Sequence, residues 1–365
     1  MIFGNSLFVT KPFDLLIIGL YLLGCIVVGI ACRGRQENID DYFAAGRLLG
    51  SRLGSLLVGL SLVATLFSGL SLLAIPSVAY NHGLKFLAVV FCIPVVWAIL
   101  HFWFLPRFLE RSPTSPYDVI ESHFGPLVRT IASSMFVLLR VGWMAALIYA
   151  PTLMMLTFLN LGQEFFWPVL LAVGLSTTVY TVLGGIRGVI ITDAIQMVVI
   201  LVGLLSVAGY IALNLPVPVG AALVDLHRMG QLPIADFTAS FTIPFTFWSI
   251  TLGWTVANLS SYIADQMSLQ RYLATATVSA TSRSFGINAL GVMFTLILLT
   301  GIGVMLRLWY QYHPDPALPE ATDRILPYFV AHRLPAGISG LMIAAILAAT
   351  MSSMTSGINA LAGSI

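Results

Sequence analysis

The chain has 365 residues, 58% of them hydrophobic and 9% charged, with a mean hydropathy of +0.95 and a net charge of +2. Soluble domains carry about 25% charged residues, so this composition excludes a molecule bounded mainly by water. The scattered Lys and Arg form no basic stripe and exclude a nucleic-acid surface. Repeated apolar runs of about 20 residues, each long enough for a hydrocarbon core of about 30 Å, predict an all-α, polytopic membrane protein forming a single transmembrane domain over 1–365.

The first run, 13–32, has no basic stretch before it and is read as a retained helix, not a signal peptide. The loop that follows, "RGRQENIDDYFAAGRLLGSR", sets four arginines beside membrane ends. The second span, 53–79, contains "LSLVATLFSGLSLLAIP", in which Ser61, Thr65, Ser68, Gly69 and Ser71 interrupt the apolar run. Ser61, Thr65 and Gly69 recur every four residues and share one face. Spans at 86–105 and 127–159 come next. The second of these exceeds one bilayer and places Arg140 near its middle, where a charge costs about 2.5 kcal/mol or more. A counter-charge for an anionic solute accounts for it, or else pairing with helix-end carbonyls or snorkelling from a tilted helix.

Spans at 166–184 and 189–212 lead to a polar, Pro-containing loop at 213–240. The span 241–264 carries "TLGWTVANLSSYIADQ", where Gly253, Asn258, Ser260, Ser261 and Asp265 interrupt the apolar run five helices after the first interruption. Small-residue packing explains either interruption alone. Two at corresponding places point to an inverted-repeat transporter with unwound helices at a mid-membrane site. The spans 285–306 and 336–365 complete nine, and the last holds Thr350, Ser352, Ser353, Thr355 and Ser356 without a carboxylate. Adjacent hydroxyls at Ser352 and Ser353 lie about 100° apart on a helix, so both can flank one concave spot. Neutral oxygens of this kind suit a hard monovalent cation.

With the N-terminus outside, ten arginines fall on inside loops and six Lys or Arg outside, with Arg140 left in a span. Arg187 and Arg271 are among the inside ten. Cys25, Cys32 and Cys92 have neither metal spacing nor a paired pattern. No catalytic Ser-His-Asp set, phosphate loop or metal cluster stands out, so the reading is not an enzyme, with no cofactor.

Five stretches together resemble the sodium:solute symporter family: "DDYFAAGR" ending at Arg47, "SLVATLFSG" (61–69), "GGIRGVIITDAIQ" (184–196), "ANLSSYIADQMSLQRYLA" (257–274) and "TMSSMTSGIN" (350–359). The resemblance implies a LeuT-type fold with 13–32 as an extra helix, 53–212 as a first five-helix repeat and 241–365 as the first three helices of a second. It implies Na⁺ as coupling ion, held by the carbonyls of Ala64, Phe67 and Ala349 and the hydroxyls of Ser352 and Ser353. Asp193 matches an acidic residue that helps the ion leave; read from the residues alone, it is an interfacial charge held by Arg187. Candidate solute contacts are Leu66, Ser71, Arg140, Asn258 and Ser261. The stretch "IYAPTLMM" (148–155) is similar to the iodide, multivitamin and monocarboxylate members, and apolar Leu66, Val90 and Val292 depart from the sugar-carrying ones. The expected function is sodium-coupled symport of a small organic solute, such as a monocarboxylate or other organic anion, across the cytoplasmic membrane. The family pattern implies two further helices beyond Ile365. The chain is therefore expected to be a fragment or shortened product that transports poorly alone. The alternative is a membrane sensor or scaffold that keeps the fold without transport.

Overall fold

The computed structural model describes residues 12–33, 51–110, 116–159, 161–240, 242–243, 245–275 and 277–364. The "DDYFAAGR" stretch and most of the arginine-rich first loop lie outside them. Among the described residues every regular element is helical. In chain order these are α1 (Pro12–Cys32), α2 (Arg52–Leu66), α3 (Gly69–His82), α4 (Cys92–Ile99), α5 (Leu105–Glu110), α6 (Pro116–Phe124), α7 (Pro126–Phe158) and α8 (Phe166–Asn214). They continue with α9 (Val219–Arg228), α10 (Phe247–Ile263), α11 (Gln266–Leu273), α12 (Val278–Tyr312), α13 (Ile325–His332) and α14 (Ile338–Ala362).

Six described helical runs are long and apolar enough to cross a membrane, and two of them, Gly69–Phe108 and Gln163–Asn214, hold 40 and 52 residues. At 1.5 Å per residue each is about twice the hydrocarbon thickness, so each must reverse. Gly83 reverses the first, at φ 65° and ψ −148°. The reversal is visible along α12: a β-carbon at Gly303 would meet Ala79 at 2.7 Å, whereas Ile93, Val96 and Trp97 lie beside Phe285 and Val292. Gly185, at φ 53° and ψ −165°, reverses α8. There Gln196 Nε2 donates to Tyr180 Oη at 3.2 Å, which a straight helix would forbid across sixteen residues. A left-handed φ of this kind is open to glycine at little cost. With these two reversals, α1, α2–α3, the 83–110 run, α7, both halves of α8, α10, α12 and α14 account for the nine expected spans.

Two boundaries differ from expectation. The seventh span begins at Phe247, not 241. Phe245 has φ 62°, and Thr246 closes a reciprocal capping box with Ser249 that starts α10. The second interruption is also narrower than the scatter of polar residues suggested. Helix α10 runs unbroken through Gly253, Asn258 and Ser261 and stops only at Ala264, where Asp265 caps α11 by accepting from the Met267 amide at 3.0 Å.

The helices form two packed groups. One is α1, α7, α8 and α14; the other is α2 to α5 with α10 and α12. In lipid, apolar burial does not drive helices together, so close backbone approach through small residues does. Gly29 sits against Tyr180, Gly59 against Ile287 and Gly203 against Ala345. Helix α14 is almost wholly buried within its own group and against α2 and α3 of the other, while α7 turns Leu127, Leu138 and Leu139 outward. Where the segments 83–85 and 231–236 meet, Lys85 pairs with Asp236 at 3.2 Å and Leu84 N donates to Gln231 O at 2.8 Å. Hydrogen bonds from the Thr238 hydroxyl and amide, with Lys85 adding to them, hold the Asp236 carboxyl down to about 2. It is therefore charged at any ordinary pH. Replacing Gly303 with valine drives a side chain into Pro76 and Ala79 and is expected to cost about 1–3 kcal/mol, read as a lowered melting temperature in detergent.

Candidate functional site

Helix α2 ends at Leu66 because the next two residues leave the helical region. Phe67 is extended at φ −100° and ψ 105°, and Ser68 at φ −88° and ψ 167° caps α3 by accepting from the Ser71 amide at 3.3 Å. The last four carbonyls of any helix lack intrahelical partners. Here Phe67 N takes Val63 O at 3.3 Å, and Ser352 Oγ of α14 reaches Ala64 O at 3.0 Å and its own Ala349 O at 3.1 Å. Ala64, Ala349, Ser352 and Ser353 are fully buried and Phe67 nearly so. Ser353 Oγ is buried without a hydrogen-bond partner among the described residues. The structure thus brings the α2 break and the serine-bearing turn of α14 together. The donor set there is neutral oxygen only, which fits an alkali cation.

The stripe of Ser61, Thr65 and Gly69 faces α14 and α8, as its four-residue spacing implies. A β-carbon at Gly69 would lie 3.2 Å from Ile346 O, Thr65 Oγ1 lies 3.1 Å from Ser356 Oγ, and Ser61 Oγ donates to Asp193 Oδ2 at 2.7 Å. The partner of Asp193 is not Arg187. Arg271, from α11, reaches it at 2.7 Å, and both side chains are completely buried. The same guanidinium donates to Ser61 Oγ at 2.7 Å, Met267 O at 2.6 Å and Ser356 Oγ at 2.6 Å. Thr355 Oγ1 adds a longer bond to Asp193 Oδ1 at 3.4 Å. Arg271 therefore does not belong among the inside-loop charges. Its charge is balanced and its donors are directed to α2, α8, α11 and α14. A buried pair survives only with such additional bonds.

Arg140 also differs from expectation. Its Nη2 donates to Asp265 Oδ2 at 2.7 Å, and its guanidinium lies over the rings of Phe136 and Trp143 at 5.0 and 4.8 Å. Pro151 of α7 is level with Gly69 and Met144 with Gly357. Arg140 is thus about 17 Å along α7 from the break, at 1.5 Å per residue. The break between α10 and α11 presents Asp265 to it, so the expected open counter-charge is already neutralised. Among the other candidates, Ser71 bonds Ser68 and Ser261 bonds back to Ala257 O at 3.1 Å. Leu66 packs between the two cores. Asn258 donates to Trp254 O at 2.8 Å and lines a small enclosed cavity with Trp97, Tyr262, Asn288 and Val292. Trp97 Nε1 and Asn288 Oδ1 are both buried there without a hydrogen-bond partner among the described residues.

A profile of the Sodium:solute symporter family matches residues 42–365. The chain belongs to this family. It is 31% identical over 349 residues to a sodium/sialic acid symporter of Aliivibrio fischeri, covering 94% of this chain and 66% of the relative. It is 32% identical over 348 residues to the sodium/iodide cotransporter of Homo sapiens, covering 92% and 51%. A solved structure of a Na⁺-coupled sialic acid symporter, substrate-bound and outward-open, superposes with a TM-score of 0.89 at 28% identity over 97% of this chain and 74% of that one. The chain therefore spans about half to two thirds of the curated relatives' length.

Members of this symporter family are transporters and not enzymes, and the chain is a multi-pass membrane protein. Reading the sequence missed Arg271, Ser356 and Tyr262 as site residues. The available signal for Arg271 was its position six residues after Asp265, on a short helix that must face inward once the chain has broken. Replacing Arg271 with methionine leaves Asp193 buried and unpaired, and is expected to cost about 3–5 kcal/mol. Adding Asp193→Leu is expected to recover most of that loss. Thermal unfolding of the two single variants and the double variant measures the coupling.

Proposed function

We propose that the chain is the core of a sodium-coupled symporter that carries a small organic anion across the cytoplasmic membrane by alternating access, with its N-terminus outside. The observation that carries the reading is the junction of Ser352 Oγ with Ala64 O at 3.0 Å beside the unpartnered Ser353 Oγ. Na⁺ is the cargo there. The carbonyls of Ala64, Phe67 and Ala349 and the two serine hydroxyls would stand in for its water shell, one wall supplied by each packed group of helices. Bound Na⁺ favours the arrangement in which α2 and α14 are in register, and solute affinity rises by that differential binding. On this reading 53–212 is the first repeat and 241–365 the opening of the second, with α2–α3 and α10–α11 as the corresponding broken helices.

The anionic class is supported by two considerations. The relatives are named for sialic acid and iodide. The α3 N-terminus at Ser68 also aims its positive dipole end at the break, flanked by Leu66 and Ser71. Asn258 adds a polar group from α10. Arg140–Asp265 and Arg271–Asp193 then serve as inner closures: both tie α11 and its cap to neighbouring helices and must part for release inward. Asp193, at the centre of the second closure, is placed to take part in ion exit.

The test is a thermal-shift screen of the purified chain against short carboxylates, sialic acid and iodide, in NaCl and in choline chloride. Stabilisation by a solute that requires Na⁺ is the expected result. The pair Ser352→Ala and Ser353→Ala is expected to remove the Na⁺ requirement. Equal shifts in choline chloride, or a double variant that responds like wild type, would overturn the reading.

A further inference from the structure

The serine-bearing helix α14 begins without a cap of its own. Gly337 occupies the cap position at φ 92° and has no side chain to offer. The first amides of a helix need acceptors, and inside a membrane water is a poor source of them. They are met from the far end of the sequence. Asp14 Oδ1, on α1, accepts from the amides of Gly337 at 2.7 Å and Gly340 at 3.0 Å, and Oδ2 accepts from Ser339 Oγ at 2.7 Å. Asp14 is 5% exposed. Its charge also complements the helix dipole. A β-carbon at Gly340 would lie 2.6 Å from Asp14 Cα, so α1 and α14 meet backbone to backbone. About two turns further along α1, Tyr21 Oη donates to Met351 Sδ at 3.6 Å, next to Ser352.

We infer that Asp14 is a positioning residue for the sodium cradle, setting the axial and rotational register of α14 through a cap supplied by the extra N-terminal helix. The inference rests on the sodium reading above. Ser352 lies about 22 Å along α14 from Gly337, at 1.5 Å per residue. A packed helix is stiff, so an offset at its start arrives undiminished at the serines. The cradle tolerates little: Ser352 Oγ spans 3.0 and 3.1 Å to carbonyls on two different helices. Without Asp14, the orphaned amides of Gly337 and Gly340 favour fraying or a shift of the first turn. The cost falls on the state that needs α14 in register, which is the Na⁺-bound one.

The experiment measures, for the 365-residue chain in nanodiscs, the NaCl concentration giving half-maximal thermal stabilisation, with choline chloride holding ionic strength. Hydrogen–deuterium exchange of the peptide 337–346 is followed in parallel. For Asp14→Ala the half-saturating Na⁺ is expected to rise about tenfold, the ratio that one hydrogen bond of ordinary strength supplies, with faster exchange at 337–346. Asp14→Asn is expected to stay within about twofold of wild type, because its carbonyl oxygen can accept both amides and its NH₂ can donate to Ser339 Oγ. Ser339→Ala, which removes one bond of three, is expected to give a smaller rise in the same direction. A role confined to stability would lower the melting temperature in choline chloride and leave half-saturating Na⁺ unchanged; that result overturns the inference, as does an Asn variant as impaired as Ala. If Asp14→Ala does not fold, Ser339→Ala decides, and an unchanged Na⁺ dependence in it overturns the inference. A wild-type chain without any Na⁺ response would instead overturn the sodium reading itself, and this inference with it.

Discussion

A peptide carbonyl inside hydrocarbon must find a donor or a cation, and the arrangement of this molecule follows from where that rule is strained. Continuous helices satisfy it internally. The chain departs from them at Phe67–Ser68 and at Ala264–Asp265, and the serines of α14 and the Arg140–Asp265 pair gather at those two places. The break in α2 exposes Ala64 O, which α14 covers with a serine. The break after α10 exposes a carboxylate, which α7 covers with an arginine. Each break is tolerated because another helix brings the matching chemistry within 3.0 Å.

The two packed groups acquire their meaning from these contacts. The proposed sodium cradle is divided between them: Ala64 and Phe67 belong to one group, Ala349, Ser352 and Ser353 to the other. Relative motion of the groups therefore changes the distances that define the cradle. The tight glycine contacts, Gly29 on Tyr180, Gly203 on Ala345 and Gly59 on Ile287, keep each group together internally or hold it against its neighbours. The Arg140–Asp265 and Arg271–Asp193 pairs then act between helices that the apolar surfaces alone would not fix, since lipid solvates an apolar helix face as well as another helix does.

Much of this was legible from residue pattern. The nine spans, both interruptions and the pairing of the α2 break with the α14 serines follow from hydropathy, four-residue spacing and resemblance. Ser61, Thr65 and Gly69 were placed on one face by spacing alone, and that face meets α8 and α14. Other features were not readable, for physical reasons. Arg271 counts as a loop charge in any tally of positive residues, because its burial depends on α11 folding inward after Asp265. Arg140 stood out as costly, but its partner is 125 residues away and no periodicity connects them. Asp14 near the chain start gave no signal, since its three donors lie more than 320 residues later. Helix ends were readable where caps are local and unreadable where one helix caps another.

The reach of Arg271 from α11 to α2, α8 and α14 constrains how α11 can move. Met267 travels with Arg271 on α11, so the cation has three partners on other helices, Ser61, Asp193 and Ser356, and it cannot leave the carboxylate without stranding a charge in oil. Departure of α11 thus requires the bonds to Ser61, Asp193 and Ser356 to yield together, or water to enter first. Such a fastening behaves like a bolt rather than a spring: a partly parted α11 is disfavoured.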